Sequence, residues 1–179
     1  MKKLLAVLAF LFSSAAAAQD LDRTMMLVAT PDLEGAYRHT ALIVMPVGEN
    51  RHLGFIVNRA SPMQVAASTL YYGGPEMVGA MFAMVRKDPG QPSLHLFGDV
   101  YVTGDKALID GILDRSPESA RLFAGFVGWE SGELADEIDA GYWYVADPEV
   151  AQVFSKEPGE NVWTDLVKRV GRRIQTRLY

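Results

Sequence analysis

The chain has 179 residues, no cysteine and a formal net charge of −5. Without cysteine there is neither a disulfide nor a thiolate metal site, so the folded part must be stabilised by its own core. The acidic balance disfavours broad nucleic-acid binding, because an acidic protein repels the phosphate backbone.

The N-terminus has the three-part order of a secretory signal peptide. Lys2 and Lys3 precede an apolar run at residues 4–12, and Ala16 and Ala18 supply the small residues of a cleavage site before Gln19. A membrane-spanning helix needs about 20 apolar residues, so this run is too short to serve as an anchor. We therefore expect a signal peptide at 1–18, a periplasmic or secreted location, and one mature domain at 19–179 without a membrane span.

The first half of the mature chain is predicted to form short strands. Apolar runs bounded by Pro, Gly, Asn or Asp predict strands at residues 25–30, 40–45 and 53–58, the last two joined as a hairpin. Ser61, Pro62 and Gln64 match a capping box, which predicts the start of a helix. Four more strands are predicted at residues 81–85, 93–97, 100–103 and 142–145.

Helices are predicted mainly in the second half. Apolar spacing predicts one at residues 105–114 and an amphipathic one at 161–178. The orders Ser116-Pro117-Glu118 and Asp147-Pro148-Glu149 predict two helix starts. Another helix is predicted to begin at Ser131, as its N-cap, and to end at Gly141. The early hairpin favours antiparallel or mixed pairing, so we expect an α+β fold with a mixed sheet.

Six segments together resemble the YqgE/AlgH family of bacterial proteins. They are LVATPDL at 27–33, GFIVNR at 54–59, YYGGPEM at 71–77, VTGD at 102–105, FVGWESGELADEI at 126–138 and Trp143. The resemblance runs from about residue 27 to 170. It implies a strongly bent sheet forming a pseudo-barrel with helices around it, and it implies no established enzymatic activity and no cofactor. Most members look cytosolic, so this chain resembles a divergent, exported branch.

The likeliest ligand-facing segment follows two tyrosines. Gly73 and Gly74 can converge their backbone N–H groups into an anion-binding nest that ends at Pro75, and Arg59 could reach an anion there. The alternative is a tight turn between a helix and a strand, in which glycine supplies a positive φ. Arg59, Gly73, Gly74 and Pro75 are therefore the predicted ligand-binding residues.

Other candidate groups have simpler structural explanations. Ser131 lacks the G-x-S-x-G spacing of a nucleophile elbow. Trp129, Trp143 and Trp163 are expected in the core or at its rim, where each indole N–H needs an acceptor.

The charged and titratable groups also have simple structural explanations. His39, His52 and His95 show no metal-ligand spacing, so no metal site is predicted. An acidic cluster at residues 130–139 could do acid–base work or form a solvated helix face. Basic residues of the last helix, from Lys168 to Arg177, could touch an anionic membrane surface or complement the helix C-terminus.

These observations favour an exported binding or accessory protein of the cell envelope with no catalytic residues. Its partner is expected to be an unknown protein or a small anionic ligand, and not a nucleic acid. A hydrolase or isomerase using the acidic cluster or His95 is the enzyme alternative, tested by Glu133→Gln and His95→Ala. A third alternative is the transcriptional-regulator label of some family members, which rests on genetics and not on a DNA-binding motif.

Overall fold

A computed structural model describes residues 20–156 and 159–177, with side chains to residue 172. The predicted signal peptide at 1–18 and its cleavage position before Gln19 lie outside these residues. Within the described ranges, ten strands, four α-helices and two short 3₁₀ turns form the fold. No helix in this part of the chain is long and apolar enough to cross a membrane.

The elements follow one another in a strand-rich order. The strands are β1 (Met25–Ala29), β2 (Ala41–Pro46), β3 (His52–Ile56), β4 (Ala60–Val65), β5 (Ser68–Tyr72), β6 (Glu76–Val85), β7 (Leu94–Phe97), β8 (Val100–Thr103), β9 (Ala120–Trp129) and β10 (Trp143–Ala146). The helices are α1 (Lys106–Arg115), α2 (Glu133–Asp139), α3 (Val150–Val153) and α4 (Gly159–Arg177). The 3₁₀ turns are Gly35–Tyr37 and Pro117–Ser119.

Strand β9 organises the sheet. The strand order is β10-β1-β2-β3-β9-β6-β8-β7, and β9 also pairs in parallel with β5, which pairs with β4. All other pairings are antiparallel among the described strands. Because β9 changes partners along its length, the sheet curls into a half-barrel with helices packed on it. The predicted α+β class with a mixed, strongly bent sheet is confirmed.

The curled sheet is buried on both faces. Alternate residues of β1 enter two different clusters, with Met26 and Val28 in one and Met25 and Leu27 in the other. Helix α4 covers the first cluster through residues such as Leu166, and α2 covers the second through its Leu134. This double burial explains why β1 is a continuous apolar run without polar alternation.

Several predicted elements are confirmed. The hairpin of β2 and β3 is present, and α1 begins at Asp105, whose carboxylate accepts the N–H of Leu108 at 2.9 Å. Gly141 has a positive φ of 80° and follows α2. The amphipathic last helix is α4, which buries Val162, Leu166 and Val170.

Two predicted helix starts are wrong. Ser61, Pro62 and Gln64 lie in β4, an edge strand, where a proline without an N–H is tolerated. Ser116-Pro117-Glu118 leads only into a 3₁₀ turn, and the chain then enters β9, a ten-residue strand that local signals did not predict. In both places strand pairing overrides a local helix signal, with the adjacent β5 for β4 and with distant strands for β9.

Two other helices begin differently from the prediction. Ser131 is not the N-cap of α2; Gly132 occupies that position with a φ of 90°, and Glu133 accepts the N–H of Glu130 instead. The helix after Pro148 has only four residues. Its predicted cap, Asp147, forms an ion pair with Arg23 at 3.0 Å.

Candidate functional site

Gly73 and Gly74 are buried against the backbone of β9. A Cβ on Gly73 would lie 2.2 Å from the carbonyl oxygen of Gly125, and one on Gly74 would lie 2.1 Å from the carbonyl carbon of Phe126. No real side chain tolerates such distances to backbone, so this close approach requires glycine. The pair connects β5 to β6, whereas the sequence predicted a turn between a helix and a strand.

The predicted anion nest is partly occupied by the sheet itself. The N–H of Gly73 donates to the carbonyl of Ala124 at 2.9 Å, and its carbonyl accepts the N–H of Ile56. Pro75 has no N–H to offer and is exposed. Ligand binding by Gly73, Gly74 and Pro75 stays a prediction.

Glu76 follows this turn and joins it to a second characteristic segment. Its Oε1 accepts the backbone N–H of Gly128 at 2.6 Å, a contact between residues 52 positions apart. A Cβ on Gly128 would lie equally close to that oxygen, so the carboxylate fits into space that glycine leaves open. The YYGGPE and GWESGELADE segments therefore meet at this bond.

The strand beyond Glu76 departs from regular pairing. The pairing of β6 with β9 is interrupted between Glu76 and Met81, and Met77 has a φ of 46°, a conformation rare for residues other than glycine. Met77 and Val78 are 64% and 57% exposed. We call the exposed residues 75–79 the turn surface.

One carboxylate of α2 accepts hydrogen bonds from two tryptophans. Oε2 of Glu137 accepts the indole N–H of Trp129 at 2.9 Å and that of Trp143 at 2.7 Å. Both rings are 5% exposed, so the shared acceptor satisfies two buried donors at once. The half-buried Trp163 donates to the carbonyl of Ala29, so the prediction that each tryptophan lies in the core or at its rim with a partner for its indole is confirmed.

Arg59 and two tyrosines lie near the carboxylates of Glu76 and Glu137. The Arg59 guanidinium donates to the carbonyl of Ala36 at 2.9 Å and lies 5.8 Å from the centre of the Tyr72 ring. Burial raises the pKa of Tyr37 above its ordinary value of 10.0; Tyr72, Glu137 and Glu76 add to the rise, while Arg59 opposes it. The Tyr37 phenol therefore keeps its proton to a higher pH than a free tyrosine. The predicted role of Arg59 in anion binding stays a prediction.

The groups of the enzyme alternative have local partners. Glu133 accepts the N–H of Glu130, and the His95 ring contacts the carbonyl of Gly98 at 2.9 Å. Their elements lie toward opposite ends of the strand order, since α2 packs against β10 while His95 is in β7. Within the described ranges, no three His, Asp or Glu side chains are grouped as metal ligands.

Sequence reasoning missed Glu76 and the specific role of Glu137. Glu76 stood next to the predicted turn, but its partner, Gly128, lies far along the chain. Glu137 was grouped with other acids of one helix face. The sequence predicted that the tryptophans need acceptors for their indole N–H groups, and it predicted an acidic helix nearby. No local spacing shows that Glu137 is the acceptor.

Similar proteins are found in several bacteria. The family described as AlgH-like, of unknown function, matches residues 26–175. A UPF0301 protein of Chlorobium luteolum is 30% identical over 84% of this chain and 86% of its own length. One from Thermobifida fusca is 30% identical over 83% of this chain and 87% of its own.

Solved structures agree on the fold. The solution structure of the AlgH protein from Pseudomonas aeruginosa has a TM-score of 0.70 and 20% identity, and covers 83% of this chain and 88% of that one. A crystal structure of a Corynebacterium diphtheriae protein has a TM-score of 0.70 and 24% identity, with 84% and 88% covered. Sequence and fold both place the described domain with these proteins, and the chain belongs to the AlgH-like family.

Proposed function

We propose that this chain is an exported accessory protein that binds a protein partner of the cell envelope through the turn surface. The observation that carries the proposal is the exposure of Met77 and Val78 beside a turn that is fixed to β9. Two adjacent apolar side chains exposed on a rigid base can form the centre of a protein-binding site, where methionine is enriched.

The rigidity of this surface supports recognition. Gly73 and Gly74 approach the backbone of β9 without intervening side chains, and Glu76 bonds to Gly128 on the same strand. A partner would therefore meet a largely preformed surface, and less conformational entropy would be lost on binding. The export part of the proposal is supported by the signal-peptide pattern of residues 1–18.

Location is tested first by expressing the full chain in a Gram-negative host. We expect an osmotic-shock fraction to contain a species whose intact mass begins at Gln19. An uncleaved species that stays in the cytosol would overturn export and would return the regulator alternative to consideration.

Partner binding is tested with a photo-crosslinking amino acid at position 77 in living cells. The matched control carries it at Leu94, which is similarly exposed at 58% but lies on the edge strand β7. We expect a discrete crosslinked protein from position 77, lost with Val78→Ser, and none from position 94. Identical products from both positions, or none from position 77, would contradict the proposal.

A further inference from the structure

A second region of the molecule, separate from the turn surface, contains an open pocket of about 590 Å³. It lies between the β4–β5 hairpin, the start of β9 and the residues after α3. This volume is within the range of sites that bind small organic molecules, about 300–1,000 Å³. Apolar walls come from Ala67, Ala120 and Phe154, and Tyr71 and Arg121 also line it.

Arg121 is the unusual group in this pocket. Its side chain is on β9, and the residue is only 7% exposed. The guanidinium donates to the carbonyls of Ser155 at 2.6 Å and Val57 at 2.8 Å, and it lies 3.7 Å from the centre of the Tyr71 ring. Its Nε–H has no acceptor among the described residues.

The charge of Arg121 has no counterion in the described part of the chain. Each ion pair found there involves another basic residue. Burial lowers the pKa of Arg121 to about 10 against an opposing effect of Tyr71, so the group is still protonated at neutral pH. Buried charges are ordinarily paired, because carbonyl dipoles and an aromatic ring replace only part of the lost hydration.

The other charged groups around the pocket differ in whether they already have a partner. Arg86 already binds Asp99 through two nitrogen atoms at 3.1 and 2.8 Å. Lys156 is exposed and forms no ion pair with a described residue, while Glu118 is an exposed carboxylate among the lining residues. Among the described lining residues whose charge is not already paired, Arg121 and Lys156 thus outweigh Glu118.

We propose that this pocket binds a small organic anion, with its carboxylate or phosphate group at Arg121 and Lys156 and its apolar part against Ala67, Ala120 and Phe154. The geometry favours this pocket over the turn at Gly73 as the anion site. Arg121 is in a low-dielectric setting, where a charge-assisted hydrogen bond is stronger than one made by an exposed arginine. The inference does not depend on export or on the turn surface.

The test is a titration of the purified protein, followed by ¹H–¹⁵N NMR, with three probes that share one ring. Phenyl phosphate and benzoate represent the two anionic groups, and benzyl alcohol is the neutral control. We expect saturable shifts of the Arg121 Nε–H and of Thr69 and Ala120 amides with at least one anion. The tighter of the two anions identifies the preferred group.

Matched lysine variants separate binding from general charge effects. Removing the exposed Lys156 charge with Lys156→Gln should weaken anion binding about fivefold, the effect of roughly 1 kcal/mol. Lys168→Gln removes an exposed lysine on α4 and should change it less than about twofold. Equal effects of the two variants would overturn the proposal.

Arg121 also has a structural role, so its variants need a second readout. Arg121→Lys retains the charge but loses the planar fork, and we expect weaker anion binding in a variant that still unfolds cooperatively. If Arg121→Lys destabilises the fold while wild-type protein binds neither anion, or binds benzyl alcohol equally well, the residue is structural alone and the proposal fails.

Discussion

The Glu76 carboxylate accepts the backbone N–H of Gly128 at 2.6 Å and thereby fixes the turn surface to β9. The bond connects residues that are distant in sequence and belong to two different characteristic segments. It also lies where β6 leaves regular pairing, so the side chain replaces a missing ladder contact. Its removal is expected to affect the turn surface more than the core.

Glu76→Ala should lower the free energy of unfolding by about 1 kcal/mol, the usual effect of losing one hydrogen bond. It should also speed hydrogen exchange at the Gly128 amide, which would lose its acceptor. The control is Glu49→Ala, whose carboxylate is 85% exposed and only pairs with Arg51 at 3.3 Å. Unchanged exchange at Gly128 would show that the bond does not persist in solution.

Glu137→Leu should be more destabilising, by about 2–4 kcal/mol, because it leaves two buried indole N–H groups without an acceptor. Glu133→Leu, on the same helix, is the control, since Glu133 is exposed and accepts only one backbone N–H. Urea unfolding followed by tryptophan fluorescence measures both. Equal destabilisation by the two variants would mean that Glu137 stabilises only α2.

The sequence predicted the parts of the fold that local composition determines. Residues 25–30 and 40–45 were found as strands, because a run buried on both faces is continuously apolar. The helix expected after Ser61 was wrong because the same Ser-Pro order also suits an edge strand. The pairing of this segment with β5 decides the outcome, and the Ser-Pro order by itself does not distinguish a helix start from a hairpin strand.

The candidate sites show the same limit, because local composition indicates some of their residues and only contacts between distant residues indicate the others. The two glycines before Pro75 were candidates on composition alone. The structure shows that glycine is required there because the chain passes close to the backbone of β9. Arg121 was not a candidate, because nothing in the local sequence indicates that an arginine within an apolar run is buried. The contacts of Tyr71, Val57 and Ser155 around it show that its charge is buried without a counterion among the described residues.

Gly74→Ala should prevent stable folding or cost about 3 kcal/mol or more, because the new Cβ would collide with the backbone of Phe126. Gly79→Ala, five residues later in β6, is the matched control, since nothing lies within 4 Å of its added Cβ. We expect Gly79→Ala to change stability by less than about 1 kcal/mol, in the stabilising direction. Circular dichroism during thermal unfolding distinguishes the two, and tolerance of Gly74→Ala would contradict the close approach.

The hairpin turn beside the Arg121 pocket has two alanines with positive φ. Ala66 has a φ of 47° and Ala67 one of 65°, as a two-residue hairpin loop requires at both positions. Ala67→Gly should therefore stabilise the protein by about 0.5–1 kcal/mol, since glycine avoids the left-handed strain. The control is Ala140→Gly, where φ is −69°, and this change should destabilise the protein. Stabilisation by both variants would show that the backbone at Ala67 is not strained.

The raised pKa of Tyr37 predicts a loss of stability in alkali. The folded state holds the phenol proton more tightly than the unfolded chain, chiefly because the side chain is partly removed from water. This contribution is therefore complete below the unfolded pKa of 10.0 and is lost as the pH rises through the higher folded pKa. Urea unfolding at pH 9.5, 10.5 and 11 should show a steeper decline for wild type than for Tyr37→Phe. Parallel declines would mean that the phenol titrates equally in the folded and unfolded states.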